Sequence, residues 1–449
     1  MKLRKSRLSK RIIPLLSFFG VGLLGAIVGT VIVSAHGGDV TKIHACVKTS
    51  TGTIHIVGAN DTCAGNETAL DWNIQGVQGA PGPTGMPGPT GVPGVGGSST
   101  NLPPRLTYVT NRQSNTVSIM DPSATPAFST IRVGNQPRMI LKKPNGNRLY
   151  IINYNDSGNG TVSVIDTTNN TILATLPVGR QPRSAILNNA GTKLYVANFT
   201  DNNLSVIDTT NNTVIATIAV GTLPLLLNIT PTDASLYVNN VEQNTIKVID
   251  TTNNTVANTI SLNSNSEQFS SFNNSIAPHM VFNISGNQGY VVNGDTGKIF
   301  VIDTLNNTIL QSINVGQFPS AIAINSTGDQ VFVANKQTTS VIDTTSNTVI
   351  SNINIVGSDL NNMTMNSAGT RLYLINASTA ALTVIDTQNN LVTKVVSLGN
   401  FPNSITIDSD NTHVYITNSG GDDISVIDTN SYQETIIKTG NYPDGILVP

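Results

Sequence analysis

Eight aspartates close similar short runs along this chain: Asp121, Asp166, Asp208, Asp250, Asp303, Asp343, Asp386 and Asp428. Two copies match almost throughout, "VIDTTNNTILATLPVG" (Val164–Gly179) and "VIDTTNNTVIATIAVG" (Val206–Gly221). A recurring carboxylate could serve as a general acid or base, but that work needs a partner group held at fixed geometry. No nucleophile, base or orienting group repeats at a matching spacing, and glutamate is too sparse to single out a carboxylate pair. No catalytic residue is assigned. In most copies Thr and Asn follow directly, so each aspartate reads as an Asx residue accepting backbone N–H bonds from the turn after it.

A second set lies in short loops, most of them proline-bearing: "GNQPRM", "GRQPRS", "GTLPLL", "IAPHM", "GQFPS", "GSDLNN", "GNFPNS" and "GNYPDG". The chargeable residues directly after a proline are Arg138, Arg183, His279 and Asp444. As candidate ligand-binding residues they could take an anion or small acid through the guanidinium forks. The plainer alternative is that each Pro fixes an entry turn and its neighbour pairs locally. A lactonase-like hydrolase is the enzymatic alternative, resting on isolated residues such as Glu242 and His279. Loops such as "NDSGNG" (155–160), "TDNN" (200–203), "NGDTG" (293–297) and "GGDD" (420–423) offer oxygen ligands without EF-hand spacing. No cofactor or metal is expected, with calcium as the alternative. Copper and haem are disfavoured, because from Leu106 onward the chain has only His279 and His413 and no cysteine.

The elements that position these residues follow from the spacing. Successive closing aspartates lie 45, 42, 42, 53, 40, 43 and 42 residues apart. A period near 42 filled with short β-rich runs predicts propeller blades, each a four-stranded antiparallel sheet. In one unit "RSAIL" is the first strand, "KLYVAN" (Lys193–Asn198) the second, "LSVID" (Leu204–Asp208) the third and "TVIATIAV" (Thr213–Val220) the outer fourth. The Asn211-Asn212 pair between the last two is read as a tight turn tolerating positive φ. The region starts at a second strand (Leu106) and ends in "YPDGILVP", which matches a first strand, so the tail can close the ring and leave no blade unpaired. This reading gives an all-β, eight-bladed β-propeller over 106–449. The fourth-to-first loops and the second-to-third loops then share one face at the channel mouth.

The segments "LTYVTN" (Leu106–Asn111), "LYVAN" at 194 and "VYITN" at 414 resemble the YVTN-type β-propeller repeat family of surface-layer and other extracellular proteins. The resemblance covers about 340 residues and implies the propeller fold, commonly with seven blades, which makes seven the alternative count. It implies no particular activity.

Three regions precede the propeller. Residues 1–35 carry six basic residues and then the uncharged run Ile12–Ala35, read as a signal peptide or an uncleaved signal anchor. Export is expected either way, to a secreted or cell-surface location. Beyond that leader 18 basic residues face 26 acidic ones, which argues against nucleic acid as a partner. Residues 39–75 hold the two cysteines, Cys46 and Cys63, expected as one disulfide in a small β module. That segment resembles a short Cys-containing module found ahead of collagen-like stretches in exported bacterial proteins. A metal site using His44 and His55 is the lesser reading.

Residues 76–97 place glycine at every third position, from Gly76 to Gly97, with prolines between, the pattern of a collagen-like Gly-X-Y stem. The stem is either a homotrimer-forming triple helix or a stiff spacer, and 98–105 is a linker. An insertion, Ser261–His279, carries Phe269 and Phe272, the candidate partner-contact residues. Together these features predict a binding, adhesion or surface-layer protein whose partners are other cell-surface proteins or glycans, touching the membrane only through an uncleaved leader.

Overall fold

The computed structural model describes residues 42–58, 61–73, 106–122, 128–262, 279–294 and 296–449. The leader, the collagen-like segment and the insertion with Phe269 and Phe272 lie outside them. The chain divides into two compact units, Met1–Gly97 and Ser98–Pro449. Among the described residues no helix is long and apolar enough to cross a membrane.

In the first unit Lys42–Lys48 pairs antiparallel with Ile54–Val57 on one side and Glu67–Asn73 on the other. The Cys46–Cys63 disulfide is formed, with both cysteines buried. His55 Nε2 and Glu67 Oε2 lie 3.8 Å apart beside Cys46. With its sulfur committed to the disulfide, Cys46 is no thiolate ligand, so the metal reading of this cluster loses its soft donor.

The second unit contains eight four-stranded antiparallel sheets. In the unit used above, the strands are Pro182–Leu187, Lys193–Asn198, Asn203–Asp208 and Thr213–Ala219, hydrogen-bonded in chain order from the inside out. One sheet departs from chain order: Pro443–Leu447 is its inner strand, followed outward by Thr107–Asn111, Thr116–Met120 and Phe128–Arg132. The C-terminal segment therefore completes the sheet begun at residue 107, as the strand count predicts. Its inner strand contacts those of both neighbours, Pro137–Lys142 and Pro402–Ile407.

The second strands explain the repeat's apolar run. "LYVAN" and its equivalents are buried along almost their whole length, because neighbouring blades cover both faces of the sheet. Each carries one large ring that is fully buried: Tyr108, Tyr150, Tyr195, Tyr237, Tyr290, Phe332, Tyr373 and Tyr415. Several of the hydroxyls reach into the next blade's third-to-fourth turn: Tyr108 donates to Asn170 Oδ1 at 2.9 Å, Tyr237 to Asn307 at 2.7 Å and Tyr290 to Asn347 at 2.8 Å. Burial pushes the Tyr195 and Tyr290 hydroxyls up to about 12.

Asparagine ends most second strands and is buried there. Asn198 Nδ2 donates to Asn203 Oδ1 and Ser205 Oγ, and Asn153 to Thr161 and Ser163 in the same way. Against it packs a glycine that ends the preceding blade. A Cβ on Gly399 would lie 2.6 Å from Asn418 Nδ2, and one on Gly440 2.7 Å from Asn111 Cγ. Only glycine lets the backbone approach that closely. The outer strands bear β-bulges, for example at Leu173 and Ile215, which break the regular edge that would otherwise invite another strand.

Candidate functional site

The closing aspartates lie in the third-to-fourth turns, on what we call the hinge face. Asp208 Oδ1 accepts the Thr210 N–H at 2.6 Å, and Asp166, Asp250, Asp303, Asp343, Asp386 and Asp428 accept equivalent backbone donors. These bonds to the charged form hold the Asp208 carboxyl below its ordinary value, the Thr210 N–H contributing most. The turn has four residues, and only its last, Asn212, has positive φ (55°), whereas the sequence reading gave that tolerance to Asn211 as well. Seven of the eight closing aspartates are thus turn acceptors, as their Asx context predicts.

His413 also sits on this face. Its Nδ1 is 3.4 Å from Asp408 Oδ2 and its Nε2 3.8 Å from Asp428 Oδ2. Asp408 accepts the N–H groups of Thr412 and His413, the role that Asn188 plays for Thr192 and Lys193. This cluster is the local form of a repeated turn cap.

The proline loops lie at the other end of the strands. Arg138, Arg183 and Asp444 all stand on inner strands of three consecutive blades. Arg138 Nε lies 3.3 Å from Asp444 Oδ2, with both side chains buried. Asn403, from the blade on the other side, donates to Asp444 Oδ1 at 2.6 Å. Burial pushes the Asp444 carboxyl up, against the pull of Arg138 and then Arg112.

Tyr154 is the hub of this region. Its ring centroid lies 5.2 Å from the Arg138 guanidinium carbon, 5.5 Å from that of Arg183 and 5.9 Å from that of Arg112. Arg183 Nη2 also donates to the Tyr154 hydroxyl at 3.2 Å, and its guanidinium lies over Phe199 at 4.3 Å. Arg112 lies 5.8 Å from the Tyr442 ring. Three guanidinium groups thus surround one ring, and Asp444 lies within ion-pair distance of Arg138. Such a grouping is electropositive, and a guanidinium fork presents its donors to a carboxylate or phosphate.

Three of the four post-proline candidates therefore converge. His279 does not join them: its blade stands opposite the closing one in the ring, and the residue is buried at the start of Met280–Phe282. Glu242 lies exposed in the turn before Thr245–Asp250. Arg112 and Tyr154 escaped the sequence reading because they follow the second-strand Asn, not a proline. The signal was available, since the residue after each "YVTN"-like run always falls at the same end of the blade.

Three of the four loops considered for calcium hold their aspartates in internal bonds, and Asp295 of the fourth lies outside the described residues. Asp156 accepts Gln136 Nε2 at 2.6 Å, and Asp201 accepts both the backbone N–H and the Nε of Arg180. Asp422 accepts the Tyr442 N–H, and Asp423 pairs with Lys438 at 2.9 Å.

A cleft of about 540 Å³ opens beside the arginines, lined by Arg112, Gln113, Asn115, Gln136, Asp156 and Tyr442 among others. A second, of about 570 Å³, lies across the ring around Thr296, Gly297, Gln317 and Phe318.

No protein-family model matches the chain. No curated protein matches it either. Among solved structures it is similar to dihydro-heme d1 dehydrogenase NirN in complex with DHE, at 15% identity and TM-score 0.62 over 77% of this chain and 75% of that one. Apo AztD from Citrobacter koseri matches at 12% identity and TM-score 0.56, covering 76% and 96%. Kuenenia stuttgartiensis hydrazine synthase matches at 18% identity and TM-score 0.53, covering 68% and 99%. At these identities the likeness carries the fold alone: the second unit is a β-propeller.

Proposed function

We propose that the protein is an exported, extracellular or cell-surface binding propeller whose mouth face holds an acidic group of its partner. The observation that carries this reading is the gathering of Arg112, Arg138 and Arg183 around Tyr154, with Asp444 within ion-pair distance of Arg138. Repulsion among like charges is unfavourable in the free protein, and an incoming carboxylate or phosphate relieves it while accepting paired N–H bonds. The leader and the Cys46–Cys63 disulfide support an oxidising location outside the cytoplasm. The YVTN-type resemblance fits a surface-layer or adhesive role. The Gly-X-Y segment acts as a stem, trimeric in this reading.

The test is binding of the purified protein to immobilised polyglutamate in low salt. Arg112→Gln with Arg183→Gln is expected to weaken it at least tenfold without lowering the Tm, since neither residue belongs to the buried pair. Equal binding by wild type and double variant sinks the arginine site. Sizing the protein with and without residues 76–97 tests the stem: two monomers would dismiss the trimer.

A further inference from the structure

Six described linkers place a residue directly before proline at positive φ: Gln136 (53°), Gln181 (51°), Leu223 (53°), Phe318 (50°), Phe401 (52°) and Tyr442 (56°). This conformation is doubly unfavourable. A following proline drives its predecessor toward extended geometry, and a side chain in the left-handed region is strained unless it is Gly, Asn or Asp. The backbone requirement is plain: the Phe401 carbonyl accepts the Ser419 N–H at 3.0 Å, and the Tyr442 carbonyl accepts that of Arg112 at 2.9 Å. Glycine would meet it with less strain. Large side chains stand there instead, so what holds them in place is not the needs of the blade.

Two of these side chains are exposed, while Gln136, Gln181, Leu223 and Tyr442 are half-buried. Phe401 is 73% exposed and Phe318 54% exposed. Phe401 lies against Gly420, where any Cβ would collide with its ring, and Lys336 Nζ lies 5.7 Å from the Phe318 ring. Both clefts of the mouth face are lined by members of the set, one by Gln136 and Tyr442, the other by Phe318. The remaining walls are mostly amides and hydroxyls. Gln136 Nε2 is held by Asp156, while its Oε1 has no donor.

We propose that these pre-proline side chains form a crown of sugar subsites, and that the ligand is a carboxylate-bearing polysaccharide; this rests on the anion site proposed above. A sugar ring has an apolar C–H face that stacks on an exposed aromatic ring and hydroxyls that bond to amides. Exposed rings, amide-lined open clefts and guanidinium forks match that chemistry together. Subsites repeated around a ring also suit a repeating polymer, which gains by engaging several at once.

The test compares three immobilised polymers on the purified full chain: polygalacturonate, which has sugar rings and carboxylates; polyglutamate, which has carboxylates alone; and dextran, which has sugar rings alone. Polygalacturonate is expected to bind at least tenfold more tightly than either of the others. Phe318→Gly with Phe401→Gly should erase its margin over polyglutamate with no fall in Tm, because glycine suits positive φ. Phe318→Tyr with Phe401→Tyr should keep the margin, which separates ring stacking from a folding defect. A margin that survives the glycine pair, or is lost in the tyrosine pair, overturns the crown. If polyglutamate binds as tightly as polygalacturonate and only the arginine variants matter, the crown falls and the anion site stands. If neither acidic polymer binds, both fall.

Discussion

The two faces of the propeller hold the same unusual backbone conformation with opposite chemistry. In the third-to-fourth turns of the hinge face positive φ falls to Asn170, Asn212, Asn254, Asn307, Asn347 and Asn390, with Tyr432 as the exception. Asparagine tolerates that region, and in several blades its side chain also accepts a neighbouring tyrosine hydroxyl. On the mouth face the positions before proline carry Gln, Leu, Phe and Tyr, residue types that the left-handed region does not favour. A position filled by the least strained residue type in most copies is explained by folding. One filled by varied and strained side chains, Phe318 and Phe401 among them exposed, is where the proposed crown places its display.

Charge separates the faces too. Seven of the eight closing aspartates accept backbone donors from their own turn. At the mouth, Asp444 depends on Arg138 and Asn403, brought from other blades.

The largest effect is expected from Asp444→Ala, which leaves Arg138 buried beside no counter-charge. Its cost is about 3–5 kcal/mol, read by denaturant unfolding. A loss below that of a typical surface substitution would show that the mouth holds together without the pair.

Next comes Gly399→Ala, which crowds the buried Asn418 side chain and is expected to cost about 1–3 kcal/mol. An unchanged urea midpoint would mean that the blades can shift apart at this contact.

The comparison of positive-φ sites is sharpened by one substitution on each face. Asn212→Ala should lose about 1–2 kcal/mol from left-handed strain. Phe401→Gly should leave stability unchanged or higher. Losses of equal size would erase the distinction drawn between the faces.

Individually smallest are the effects of acid on the hinge aspartates. Each carboxyl binds its proton less readily folded than unfolded. Their contribution is therefore fully present above the ordinary carboxylate value, near 3.8, and is lost as pH falls below it through the depressed folded values. Asp444 works the other way. Its carboxyl is raised, so its contribution is fullest at low pH and is lost as pH rises through the folded value. Unfolding midpoints followed from pH 6 down to 2 should fall most steeply at the acid end, and Asp208→Asn should soften that fall slightly. A profile flat to pH 2 would contradict the turn bonds.

Much of the fold was legible because it is local and repeated. A period near 42, β-branched runs of fixed order and Asn-rich turns are set by neighbours in sequence, and eight copies reinforce one another. Even ring closure could be counted, since a lone first strand at the C-terminus has a sheet lacking one at residue 107. The role of Asp208 was readable for the same reason, its donor being two residues away.

The site was only partly legible. Of the proline-loop residues, Arg138, Arg183 and Asp444 converge in space. Yet exposure falls one residue earlier: the residues after proline are buried or half-buried, whereas Phe318 and Phe401, directly before proline, are exposed. Strand register and the sign of φ decide this, and neither is encoded by residue type when Phe and Gln occupy a position suited to glycine.

By itself, then, the sequence determined the blade, its repeat, its turns and the strand that closes the ring, all through contacts between near neighbours in the chain. Only the tertiary structure decided which charges meet. Arg138 and Asp444 are separated by 306 residues, and they touch because the last strand completes the first sheet. Ring curvature likewise turns His279 away from the arginines and gathers three of them around Tyr154, a convergence that depends on the order of blades in space.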